Sequence, residues 1–231
     1  MKIHRFIDNF DLSGNEIEIT GEIAHQMAKV LKLEIGEQVE LCDGKGTNAQ
    51  GKIKTLSKNS TIVEIEKISK EPHAQKSVSL FCAVLKKENF ELVVQKATEC
   101  GVDKIIPIIT TRTIKMGLNM ERLQKIAREA CEQSQRSILP EVLEPMSFEE
   151  SFEIAKLNNI NIIFDASGED LLEKITNNKN SSGIWIGPEG GWTPEEIKKT
   201  EENNFKKLSL GKNILRAETA AIIATYLISQ K

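Results

Sequence analysis

The chain has 231 residues, 28% of them charged and 39% apolar, which suits one large or two modest folded domains and excludes a disordered chain. No apolar run reaches the ~18 residues of a membrane span, and the opening MKIHRFIDNFDLSGNE has no apolar signal core, so a cytoplasmic protein is expected. Net charge is −3, which argues weakly against nucleic acid, yet residues 76–140 carry 11 basic and 7 acidic side chains, a local +4 of the kind a phosphate-binding face needs.

Residues 1–70 read as short strands joined by turns. Glu16–Thr20 and Gln38–Cys42 alternate with period two, Asp43-Gly44 supplies a hairpin-type turn, and Gly51–Lys54 and Thr61–Ile65 continue the pattern. His25–Leu31 reads as one short helix between them. Many short strands in a small segment predict a little barrel. The polar, proline-containing stretch Ser69–Lys76 marks the boundary, giving domains 1–72 and 73–231.

Beyond it strands alternate with helices. Strands are expected at Ser77–Leu85, Lys104–Ile109, Ile160–Phe164, Gly183–Ile186 and Phe205–Leu210. Helices are expected at Asn89–Cys100, closed by Gly101, then at Met120–Arg136, Glu169–Ile175, after Thr193, and at Glu218–Ser229. Thr193-Pro194-Glu195-Glu196 is a capping box with proline at the first helical position. Strands separated by helices predict an α/β domain with a parallel sheet. Cys42, Cys82, Cys100 and Cys131 form no C-x-x-C pair and the three histidines are scattered, so buried free thiols and no metal site are expected.

Ligands of open α/β sheets sit outside the carboxyl ends of strands, and three segments stand out. Ile186-Gly187-Pro188-Glu189-Gly190-Gly191-Trp192 leads straight into the capped helix. Its glycines let a ligand approach backbone closely. It matches neither phosphate-loop fingerprint, and Glu189 favours a neutral or cationic ligand. A structural turn is the plainer alternative. The segment Leu208–Ala220 carries apolar Ile214 and Leu215 beside Arg216 and Glu218, which reads either as the wall of an adenine pocket or as a buried turn with an Arg216–Glu218 surface pair. Glu132-Gln133-Ser134-Gln135-Arg136 is a polar run at a helix end, by itself no more than a solvated terminus.

Together these segments resemble the ribosomal RNA uridine-N3 methyltransferase family of the SPOUT superfamily. The matching residues are Gly187–Gly191, Leu210-Gly211 with Ile214-Leu215-Arg216 and Glu218-Thr219-Ala220, Glu132-Gln133-Ser134 with Arg136, Lys86, Gln95–Glu99 with Gly101, and His4-Arg5-Phe6. They span nearly the whole chain in the right order. The resemblance implies a PUA-like RNA-binding barrel, then a SPOUT domain whose C-terminal part threads a trefoil knot, a device nearly absent elsewhere. It implies S-adenosylmethionine as cofactor, 16S rRNA of the small ribosomal subunit as substrate, and a homodimer. The cofactor would be held by Phe164, Ile186, Gly187, Pro188, Glu189, Gly190, Gly191, Leu210, Gly211, Asn213, Ile214 and Leu215. Arg136 or Arg216 would favour the deprotonated uracil, while Glu218, Glu132 and water stay open as proton acceptor. Arg5, Lys86, Lys87, Lys96, Arg112, Lys115, Arg122 and Arg128 would contact RNA. Asn213 departs from the arginine frequent in the family, and Trp192 from its usual apolar residue. Rival readings are a SPOUT enzyme acting on another base or a ribose 2′-oxygen, and a non-catalytic ribosome-assembly factor. A nucleotide-binding oxidoreductase is disfavoured by the missing dinucleotide fingerprint.

Overall fold

The computed structural model describes residues 3–71, 76–114, 117–170 and 181–230. Two compact units form, one from Met1–His73 with Cys131–Leu139 and the other from Ala74–Ala130 with Pro140–Lys231. The division after the barrel falls in the polar stretch, but a segment from the middle of the chain joins the first unit, which a single cut at 72/73 does not anticipate.

The first unit is a five-stranded sheet of β1 (His4–Ile7), β2 (Glu16–Thr20), β3 (Gln38–Cys42), β4 (Thr47–Leu56) and β5 (Ser60–Lys70), in the order β1-β3-β4-β5-β2. β1 runs parallel to β3 and the other pairs are antiparallel. Period-two alternation places Ile17 and Ile19 inside, with Glu16, Glu18 and Thr20 facing water. The expected helix starts earlier than its apolar residues suggest: α1 (Gly21–His25) runs into a π-helical turn, Gln26–Val30. That turn buries Met27.

Arg5 ties the inserted segment into this unit. Its Nη1 donates to the Gln135 carbonyl at 2.7 Å, its Nη2 to Ser137 Oγ at 2.6 Å and Asn48 Oδ1 at 3.0 Å, and its Nε to Cys42 Sγ at 2.9 Å. Glu40 lies 3.5 Å away, and the Arg5 side chain is only 10% exposed. Glu132 Oε1 accepts from the Ile7 amide at 3.1 Å. Arg5, expected to meet RNA, thus has its Nε, Nη1 and Nη2 engaged inside the unit. It also gives part of the polar run at Glu132–Arg136 a structural task. Arg5→Ala should destabilise the protein by about 2–4 kcal/mol, since it strands several buried acceptors at once. Arg5→Lys should recover only part of this, because one ammonium cannot span a planar fork's acceptors. Urea denaturation measures both.

The second unit is a seven-stranded, wholly parallel sheet. Its strands are β6 (Val78–Ala83), β7 (Lys104–Ile109), β8 (Glu141–Val142), β9 (Met146–Ser147), β10 (Ile160–Asp170), β11 (Ser182–Ile186) and β12 (Lys206–Ser209). The order is β12-β10-β11-β6-β7-β8, with β9 also on β7. Every residue of β6 and β11 is buried, as parallel strands covered on both faces require. Leu80, Cys82, Ile184 and Ile186 pack with α2 (Lys87–Glu99), α3 (Met120–Ser134) and α6 (Ala217–Ser229). Phe81, Ile163 and Trp185 face the opposite way, toward α4 (Ser151–Ala155) and α5 (Pro194–Glu202). Phe81 and Trp185 stack with centroids 4.2 Å apart.

The helix expected at Glu169–Ile175 is not formed at its start. Glu169 and Asp170 extend β10 and pair with Leu208 and Ser209, and residues 171–175 lie outside the described residues. Gly168 permits this, since a Cβ there would stand 2.4 Å from the Leu208 carbonyl carbon. Among the described residues no helix is long and apolar enough to cross a membrane.

All four cysteines are free. Burial pushes the Cys42 thiol up to about 12 and that of Cys131 up to about 11, and it raises Cys82 and Cys100 as well. A raised thiol stays protonated and unreactive until pH approaches its own pKa. Titration of the native protein with a disulfide reagent at pH 8 should therefore label at most the half-buried Cys100, with the other three appearing on unfolding.

Candidate functional site

The carboxyl ends of β6, β10, β11 and β12 open on a cavity of about 910 Å³. That is a size suited to a cofactor-sized ligand. All twelve residues expected to hold a cofactor line it: Phe164, Ile186, the run Gly187–Gly191, Leu210, Gly211, Asn213, Ile214 and Leu215. Arg216, Glu218, Lys86 and Arg112 line it too.

The loop after β11 is held from several sides. The Gly191 amide donates to the Pro188 carbonyl at 2.8 Å, and Gly191 has φ +70°, a conformation that favours glycine. A Cβ on Gly187 would come within 3.0 Å of the Trp192 indole. That indole is buried and donates from Nε1 to the Phe164 carbonyl at 3.0 Å, so the ring lies as a plate between the loop and β10. Arg112 Nη1 donates to the Gly190 carbonyl at 2.7 Å and to that of Trp192 at 3.3 Å. Glu196 completes the arrangement. Its Oε2 accepts from the Thr193 amide at 2.8 Å, closing the capping box, and its Oε1 accepts from the Thr111 amide at 2.9 Å. One buried carboxylate thus fastens the loop after β7 to the start of α5. Arg112, expected to contact RNA, thereby also clamps the glycine loop through Nη1.

The loop after β12 is open by contrast. Gly211 has φ +100°, and Ile214 is 90% exposed despite its apolar side chain. The Arg216–Glu218 ion pair considered from sequence is not formed. Neither side chain has a hydrogen-bond or ion-pair partner among the described residues. Arg216 is exposed, whereas Glu218, in the first turn of α6, is 7% exposed. Beneath them, burial raises the Cys82 thiol, and the carboxylates of Glu189 and Glu218 push it further the same way.

The other expected residues are not gathered here. Arg5 and Arg136 belong to the first compact unit. Lys87 and Lys96 are on α2, and Arg122 and Arg128 on α3, none of them lining the cavity. Arg122 is engaged in a two-pronged pair with Glu91 at 2.6 and 2.7 Å, and Lys96 pairs with Glu99 at 2.8 Å. Lys115 lies outside the described residues. Asp165, Asn89 and Ile114 line the cavity without having been expected there. Asp165 follows the paired run of β10, where the rule about strand carboxyl ends could have found it. For Ile114 no local signal existed.

Two family models match the chain, an RNA methyltransferase PUA domain over residues 19–66 and an RNA methyltransferase domain over 72–229. A ribosomal RNA small subunit methyltransferase E from Rickettsia conorii is 33% identical, covering 97% of this chain and 94% of its own length. One from Synechocystis is also 33% identical, covering 90% of this chain and 71% of its own length. The crystal structure of a ribosomal RNA small subunit methyltransferase E from Neisseria gonorrhoeae bound to S-adenosyl methionine superposes with a TM-score of 0.91 at 29% identity, covering 99% of this chain and 98% of that one.

Proposed function

We propose, from the premise that the chain belongs to the family of ribosomal RNA small subunit methyltransferases E, that it transfers the methyl group of S-adenosylmethionine to N3 of a uridine in 16S rRNA. The observation that carries this is the cavity at the strand carboxyl ends, built from the glycine loop after β11 and the apolar loop after β12. Its residues suit the cofactor. Phe164, Ile186, Leu210, Ile214 and Leu215 offer apolar surface to an adenine, Gly187, Gly190 and Gly191 leave backbone polar groups within a ligand's reach, and Glu218 brings a buried carboxylate to a molecule that carries positive charge.

When bound, the cofactor supplies a methyl group activated by a sulfonium. The chain must do the rest. It has to orient a uracil edge toward that methyl and lower the cost of removing the N3 proton. Arg216 takes the second task, because its guanidinium is exposed, without a partner among the described residues and on the cavity wall, so it favours negative charge on the uracil. Lys86 and Lys87, at the start of α2 and both exposed, contribute phosphate contacts. Homodimerisation, a cytoplasmic location and a C-terminal trefoil knot go with the same family reading. The test is nucleoside analysis of 16S rRNA from cells that lack the protein. 3-Methyluridine should be missing and should return when the gene is restored. An unchanged nucleoside profile would remove the proposed substrate.

A further inference from the structure

A carboxylate taken out of water and left without hydrogen-bond or ionic partners is costly, and such groups are normally paired. Glu218 is the exception in this cavity. It is 7% exposed, lines the cavity and has no partner among the described residues. Its position in the first turn of α6 stabilises negative charge through the helix dipole but satisfies no oxygen. The three cations on the same walls do not neutralise it. Arg112 is turned to the carbonyls of Gly190 and Trp192, and neither Lys86 nor Arg216 forms an ion pair with it. Glu189 adds a second carboxylate, since both act on the thiol of Cys82 at the end of β6. Asp165, the remaining acid of the cavity, is occupied by the amide and hydroxyl of Ser167 at 2.9 and 2.6 Å. The cavity wall therefore carries one carboxylate, that of Glu218, without a partner among the described residues, and a second at Glu189, which is exposed.

Given the methyl-transfer reading, on which this rests, we infer that Glu218, assisted by Glu189, makes the cavity select for a sulfonium cation over the neutral thioether left after transfer. Transfer forms the N3–methyl bond as the sulfur–methyl bond breaks with both its electrons remaining on sulfur, and the N3 proton passes to water. The cofactor thus loses its positive charge where the carboxylates hold it, and the spent molecule is released more readily. A carboxylate without an internal partner attracts a cation and gains nothing from a neutral thioether, the more so the less water and salt screen the pair.

The experiment is calorimetry at pH 7 with S-adenosylmethionine, S-adenosylhomocysteine and an analogue bearing an amine in place of the methylsulfonium. The wild type should bind the two cationic molecules about 10-fold or more tighter than the thioether. Glu218→Gln, which keeps the size and removes the charge, should bring that ratio towards 1 by weakening the cations while leaving thioether affinity unchanged or tighter. Retained thioether binding also certifies that the variant folds. Glu189→Gln should lower the ratio by a smaller factor. An undiminished ratio in Glu218→Gln overturns the inference, as does equal binding of all three by the wild type. Failure of the wild type to bind any of them would instead sink the methyltransferase reading itself.

Discussion

Methyl transfer by an Arg216→Ala variant should fall about 100-fold while cofactor affinity stays within about twofold. The residue precedes α6, its backbone carbonyl accepts from the Ala220 amide at 2.9 Å, and its side chain reaches no partner among the described residues. Removing the guanidinium therefore costs the fold little, and an unchanged urea midpoint is the companion result. What is lost is positive charge beside the base as N3 gives up its proton. A role confined to the transition state lowers kcat and kcat/KM together, whereas a phosphate contact raises KM for RNA alone. Arg216→Lys should restore part of the rate by returning the charge. Unaltered turnover in the alanine variant would take the electrostatic role away from this residue.

The second large effect concerns the glycine loop. Gly187→Val should lose measurable cofactor binding and destabilise the protein by about 1–3 kcal/mol through overpacking. A Cβ at this position already meets the Trp192 ring at 3.0 Å, and the ring cannot swing aside without giving up its hydrogen bond to the Phe164 carbonyl and its packing on Phe148. Gly190 lies in the same loop. There, however, a Cβ would meet only the flexible side chain of Arg112, at 3.4 Å. Gly190→Ala should therefore bind cofactor nearly as the wild type does, and calorimetry on the pair separates the two positions. Equal tolerance at both would mean that Trp192 does not brace the loop as described.

Much of the second unit was legible in the sequence. The capping box at Thr193–Glu196, the apolar strands and the glycine-dense turns are local signals, and each reports on neighbours within a few residues. The cavity was legible for a related reason, because it is made of consecutive residues at two strand ends. The unreadable features depend on contacts distant in sequence. Arg5 meets Gln135 and Ser137 across 130 and 132 positions, and Arg112 meets Gly190 across 78. Neither leaves a periodic trace, so a buried tie and a loop clamp both looked like free cations suited to phosphate. The departure at Glu169 and Asp170, the start of the expected helix, has the same origin. Its composition suits a helix, but the ladder to Leu208 and Ser209 outweighs local preference.

The central claim is tested most directly by incubating the purified protein with labelled S-adenosylmethionine and small ribosomal subunits from cells that lack it, then digesting the 16S rRNA to nucleosides. Label is expected in 3-methyluridine, in the wild type and only weakly in Arg216→Ala. Label in another base or in a ribose 2′-O-methyl nucleoside would contradict the proposed reacting atom. No label from a protein that binds the cofactor would contradict the enzymatic role.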